Sequence, residues 1–228
     1  MLRLLAATTA LALLSASSLA QELHDARRGA RFHPATIVSV TEVRNPILSI
    51  ANGTIVLKVT ISETGKIEEL QVCREIASLT PEAVRAVQAW TFEPAKLDGK
   101  PVTSRVTVAV TFNPPAEMPA NIPLPPLRRP TDQAEAQAQF RPPEVVWAAF
   151  PRYPYGAVAS GTVVLEVTIG ETGKAGDVRV LRDLAPLTSE AIRAVKDWRF
   201  ISATFNGKPL ESKIGLAFVF RLPIHNGW

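Results

Sequence analysis

Cysteine is almost missing from this chain. Cys73 stands alone among 228 residues, so no disulfide can form within the molecule, and the thiol reads as a small core hydrophobe. Histidine is scarce as well. His24, His33 and His225 are the three present, and none has a second candidate ligand at helical or hairpin spacing, so no metal site and no cofactor are expected. No nucleophile elbow, phosphate loop or zinc motif occurs. The charges of Glu63, Lys66, Glu171 and Lys174 sit in turns and read as solvated, which leaves no enzyme chemistry to assign. The net charge of +4 falls to +3 without Arg3, too mild a balance to argue for nucleic acid. Beyond residue 20 no apolar run is long enough to cross a membrane.

What is present begins with residues 1–20, "MLRLLAATTALALLSASSLA". The basic start, the modest apolar stretch and the small residues at its end predict a cleaved secretory signal, with an uncleaved anchor as the alternative. Then the chain repeats itself. "GTIVLKVTISETGKIEELQVC" from Gly53 returns as "GTVVLEVTIGETGKAGDVRVL" from Gly161, and the offset of 108 residues holds without a gap from Pro34 and Pro142 to Phe112 and Phe220. Two copies cannot cap an open solenoid, so this is a duplicated domain. The expected organisation is a signal over 1–20, an arm over 21–33, a first domain over 34–113, a linker over 114–141, a second domain over 142–223 and a tail over 224–228. Seven prolines between Pro114 and Pro130 stiffen the linker, and the two domains are expected to be tethered rather than fused.

Within each repeat the period is first that of a strand. Ile55, Leu57, Val59 and Ile61 alternate with Val56, Lys58, Thr60 and Ser62, and Thr64-Gly65 turns the chain into a second strand. A helical period follows. Thr80 is expected to cap it, Pro81 suits its first turn, Leu79 can staple to Val84, and Ala83, Val87 and Trp90 share its buried face. Asp98-Gly99 and Asn206-Gly207 are tight-turn signals before a last alternating strand. The predicted unit is α+β, a β-β-α-β arrangement with one helix on a small antiparallel sheet, and Trp90, Phe92 and Phe112 carry much of its core.

"PRYP" at residues 151–154, the second hairpin, "LTSEAIRAVKDWRF" and "NGKPL" followed by "AFVF" together resemble the C-terminal domain of the TonB energy-transducer family, in two tandem copies. The resemblance implies a periplasmic or secreted domain that pairs an edge strand with an extended box peptide at the plug of an outer-membrane transporter, or with another envelope protein. It also implies a role for a Tyr-Pro element, matched here by Tyr153 and Pro154. The first repeat has Asn45 and Pro46 instead. Within the repeat, the closing strand over residues 212–222 is expected to leave one side unpaired. Its outward row of Lys213, Gly215, Ala217, Val219 and Arg221 lacks the proline or inward-pointing charge that protects an edge, and the small Gly215 and Ala217 let another backbone approach. These residues, with Tyr153 and Pro154, form the expected partner-binding site. The alternative is a structural or self-associating envelope protein, a homodimer through sheet edges.

Overall fold

The computed structural model describes residues 31–46, 49–113 and 138–222. The signal, most of the arm, most of the linker and the tail lie outside the described residues, as do His24 and His225.

The first repeat opens with two short strands, β1 (Phe32–His33) and β2 (Thr36–Ser39), then the hairpin β3 (Gly53–Ile61) and β4 (Ile67–Arg74). Helix α1 (Thr80–Gln88) follows, and after it β5 (Thr91–Glu93), β6 (Ala95–Leu97), β7 (Lys100–Val102) and the closing strand β8 (Ser104–Phe112). The second repeat retraces this order with β9 (Phe140–Arg141), β10 (Glu144–Trp147), β11 (Gly161–Ile169), β12 (Ala175–Arg182), α2 (Leu187–Val195), β13 (Arg199–Ile201), β14 (Ala203–Phe205), β15 (Lys208–Leu210) and β16 (Ser212–Phe220). The α+β class and the hairpin, helix and closing strand are as expected. The β-β-α-β description is too short, because strands of two to four residues leave no period to read. β1 pairs with β6, β2 with β5, and their counterparts β9 with β14 and β10 with β13. Pairing thus begins two residues before the expected domain starts.

The tight turns form as the residues dictate. Asp98 and Gly99 have φ of 50° and 81°, Asn206 and Gly207 have 51° and 75°, the left-handed pair that a two-residue hairpin needs. The helix start differs from expectation. Thr80 makes no capping bond to its own helix; its hydroxyl instead accepts from the Ile76 N–H at 2.9 Å and donates to the Ile76 carbonyl. Thr188 likewise accepts from Leu184. Each hydroxyl fastens the turn ahead of the helix.

The expectation of tethered domains is overturned by the main sheet. Its order is β12-β11-β16-β8-β3-β4, one sheet of six strands drawn from both repeats. Every neighbour in it is antiparallel except at the centre, where β16 and β8 run parallel with Gly215 beside Val108 and Val219 beside Phe112. Two identical units joined through parallel neighbours are related by a two-fold axis along the strands, and that operation exchanges the faces of the sheet. Accordingly α1 packs with Ile55, Leu57, Val59 and Ile61 on one face, and α2 with Val163, Leu165, Val167 and Ile169 on the other.

Each core borrows from the other repeat. Val164, Ala217 and Val219 belong to the cluster under α1, and Val56, Cys73 and Ala109 to the cluster under α2. All residues from Val106 to Phe112 and from Ile214 to Phe220 are buried, the continuous pattern of strands covered on both faces. A fully buried valine contributes about 1.5–3 kcal/mol. Val56, Val164 and Val219 would each be exposed in a repeat standing alone, so the seam gains several kcal/mol that separate domains would forgo.

Candidate binding interface

The expected receiving edge does not exist as a free edge. β16 lies between β11 and β8, so both of its sides are hydrogen-bonded. The physical reason lies in the same small residues that suggested an open edge. A Cβ built on Gly215 would meet the Ile37 Cδ1 at 2.7 Å and the Trp90 ring at 3.2 Å. The space above Gly215 is filled by Ile37 of the first repeat's strap, residues 34–46 with β2, whose counterpart is residues 142–154 with β10, and by Trp90 just past α1. Ala217 and Val219 are buried at 0% and 1% exposure, and the Val219 carbonyl accepts from the Asn113 N–H at 3.0 Å. A strand is indeed admitted here, but it comes from the same chain.

The charged ends of that row are also turned inward. The Lys213 ammonium lies 3.1 Å from Glu166. Glu166, which the sequence reading passed over, is the polar centre of the seam. Its carboxylate is 3% exposed, accepts from the Ile37 backbone N–H at 2.8 Å and pairs with Arg179, whose guanidinium also reaches the Ile37 carbonyl. A buried carboxylate needs such a set of donors to offset desolvation. A signal was present in the repeat alignment: the equivalent position holds Lys58, which pairs with Glu144 of the other repeat's strap at 3.6 Å.

Arg221 donates to the Ser49 carbonyl at 2.8 Å and to the Ala51 carbonyl, both in the first repeat. Burial pushes its pKa down, as it does for Arg74. Thr162 donates to Val43 at 2.6 Å and Thr107 to Pro143 at 2.6 Å, so each strap is sewn to the opposite repeat. Arg182 adds a longer pairing to Glu42 at 3.6 Å.

The Tyr-Pro element stands apart from the seam's centre. Tyr153 is half-buried, its hydroxyl donates to the Ala159 carbonyl at 2.8 Å and its ring lies 6.5 Å from that of Phe220. The Pro154 carbonyl accepts from the Ala157 N–H, closing the turn. That loop displays Tyr155 and Val158 in full solvent, and the equivalent loop of the first repeat displays Ile50. All three lie where the central strands end.

The free edges of the six-stranded sheet are its outer strands β4 and β12. Both bear a register shift opposite the start of the hairpin, at Val56/Leu57 and at Val164/Leu165, the irregularity that discourages indiscriminate pairing. They differ in cover. β4 ends in the buried Cys73 and Arg74 and carries the exposed Glu68, Glu69 and Val72, whereas β12 ends in the half-buried Leu181 and Arg182 and carries the exposed Gly176, Asp177 and Val180.

Among the described residues no group of three or more His, Cys, Asp and Glu is placed to hold a metal, and no helix is long and apolar enough to cross a membrane. Compared with known families, the chain is matched by the model described as Gram-negative bacterial TonB protein C-terminal, over residues 49–114 and again over 149–222. No curated protein matches it.

Proposed function

Because the chain belongs to the family of Gram-negative bacterial TonB protein C-terminal domains and carries two of them, we propose that it is an exported periplasmic binding protein whose repeats act as one scaffold. In this reading an extended segment of an outer-membrane transporter, or of another envelope protein, adds as a strand to β12, which links the protein to TonB-dependent transport. The observation that carries the reading is the pairing of β16 with β8. It removes the closing strands from consideration and leaves the six-stranded sheet two outer edges, of which β12 is the more open and has the fewer exposed carboxylates at its middle. Strand addition draws affinity from main-chain hydrogen bonds and specificity from alternate side chains. On β12 those alternate positions include Val178 and Val180 on the α2 face. Self-association through the closing strands is disfavoured for the same reason, since each already has its partner within the chain.

The test is amide hydrogen exchange on the full chain with and without a synthetic peptide copying the box segment of an outer-membrane transporter plug. New protection along β12 with β4 unchanged is the expected result. Protection on β4 alone, or none at saturating peptide, overturns the assignment.

A further inference from the structure

The two repeats differ most where the strap of one meets the strand ends of the other. On the first repeat's strap, Glu42 and Asn45 occupy the positions that Phe150 and Tyr153 hold in the second. At the end of β16, Arg221 replaces the counterpart Asn113 of the first repeat. Exchanging two aromatic rings for two shorter polar side chains leaves room, and a cavity of about 320 Å³ opens there. Its walls include Arg44, Asn45 and Arg221, and its apolar lining includes Val43, Phe220 and Leu222.

Two polar atoms of this wall are buried and unsatisfied. Asn45 spends its amide nitrogen on the Pro46 carbonyl, which leaves its Oδ1 without a donor. Arg221 spends its two terminal nitrogens on Ser49 and Ala51, which leaves its Nε–H without an acceptor. An orphaned buried group costs about 1–3 kcal/mol, so each has a reason to be met by something. Glu42, the carboxylate of the lining, is engaged by Arg182, and Arg44 with Arg221 gives the wall an excess of positive charge.

We propose that this cavity binds the C-terminal residue of a peptide: its carboxylate at Arg221 and Arg44, its amide N–H at the Asn45 Oδ1, and an apolar side chain against Val43, Phe220 and Leu222. The volume suits a group of that size, and free carboxylate capture is a recurrent mode of peptide recognition. Burial depresses the Arg221 pKa, a cost that an incoming anion relieves. The inference goes beyond strand addition, since β12 contributes nothing to the cavity wall.

N-acetyl-leucine carries all three features, and N-acetyl-leucinamide lacks only the carboxylate. In proton–nitrogen correlation spectra of the full chain, N-acetyl-leucine should shift the Gly161, Arg221 and Leu222 amides saturably, with a Kd on the order of 1 mM, and the amide should bind about tenfold more weakly. Asn45→Tyr, which installs the second repeat's own residue, should abolish the shifts while keeping the native spectrum. Should that variant fail to fold, Leu222→Glu at the half-exposed rim should weaken binding about tenfold by placing a like charge beside the ligand. Equal affinity for acid and amide, undiminished binding by the folded variants, or no saturable shift at all overturns the proposal.

Discussion

The first and second repeats fold the same way and meet each other differently. Trp198 donates its indole N–H to the Ala149 carbonyl at 2.9 Å, whereas the Trp90 Nε1 is buried without a partner. Arg182 has Glu42 within reach, while the equivalent Arg74 is 6% exposed with its Nε and one terminal nitrogen unpaired. Thr107 reaches a strap carbonyl, and its counterpart Gly215 yields its volume to Ile37 and Trp90. The elements that build each unit and the apolar seam pairs Val56/Val164 and Ala109/Ala217 have stayed alike, while much of the polar contact to the other unit has diverged. A seam within one chain no longer has to be self-complementary, because its two sides are encoded separately.

The sharpest way to break this comparison is to part the repeats. Residues 31–113 expressed alone expose one side of β8 together with Val56 and Ala109, so the fragment should not melt cooperatively as a monomer, while the full chain should show a single transition. Calorimetry with a mass measurement checks both; a cooperative monomeric fragment would mean that the seam is dispensable. Next in size is Gly215→Val. Its side chain must displace Ile37 and Trp90, and overpacking of this kind costs about 1–3 kcal/mol or more. Thr107→Val, the mirror change, removes one hydrogen bond and should cost about 1 kcal/mol. Chemical denaturation ranks the two, and the reverse order would remove the asymmetry.

A finer probe compares the indoles. Trp198→Phe should cost about 1 kcal/mol more than Trp90→Phe, because only the former strands a carbonyl that had a donor. The smallest effect concerns acid. The Arg85 hydrogen bond and the Arg44 backbone N–H hold the Glu82 carboxyl below the usual carboxylate range, against the opposing effect of burial. A depressed carboxylate stabilises the fold above its unfolded pKa, and that contribution is lost as pH falls through the folded value. Glu82→Gln should therefore flatten the decline in Tm below about pH 4.5, as measured by thermal melts across acid pH.

Much of this architecture can be read from the residues. The hairpins follow from two-residue alternation, the helices from Ala83, Val87 and Trp90, and the tight turns from Asp98-Gly99 and Asn206-Gly207. The joining of the repeats is harder to read, because Gly215, Ala217 and Val219 look alike whether the strand beside them is foreign or the chain's own. Periodicity reports that a face is covered, not by what. The straps escape for a related reason: β2 and β10 are four residues long, and their anchors, Glu166 and Thr162 for the first and Lys58 and Thr107 for the second, look like solvent-facing positions until the opposite repeat covers them. Of the expected binding residues, Tyr153 and Pro154 shape a loop, Lys213 pairs with Glu166 of its own repeat, and Gly215, Ala217, Val219 and Arg221 hold the halves together.

The parallel seam between β8 and β16 has one further consequence, which concerns dilution. Two separate domains meeting through such strands would part as their concentration fell, with the paired fraction set by how much protein the compartment held. Here Asn113 and Ala138 belong to one polypeptide, so pairing is unimolecular and does not depend on how much protein is present. A single molecule carries its complete six-stranded sheet.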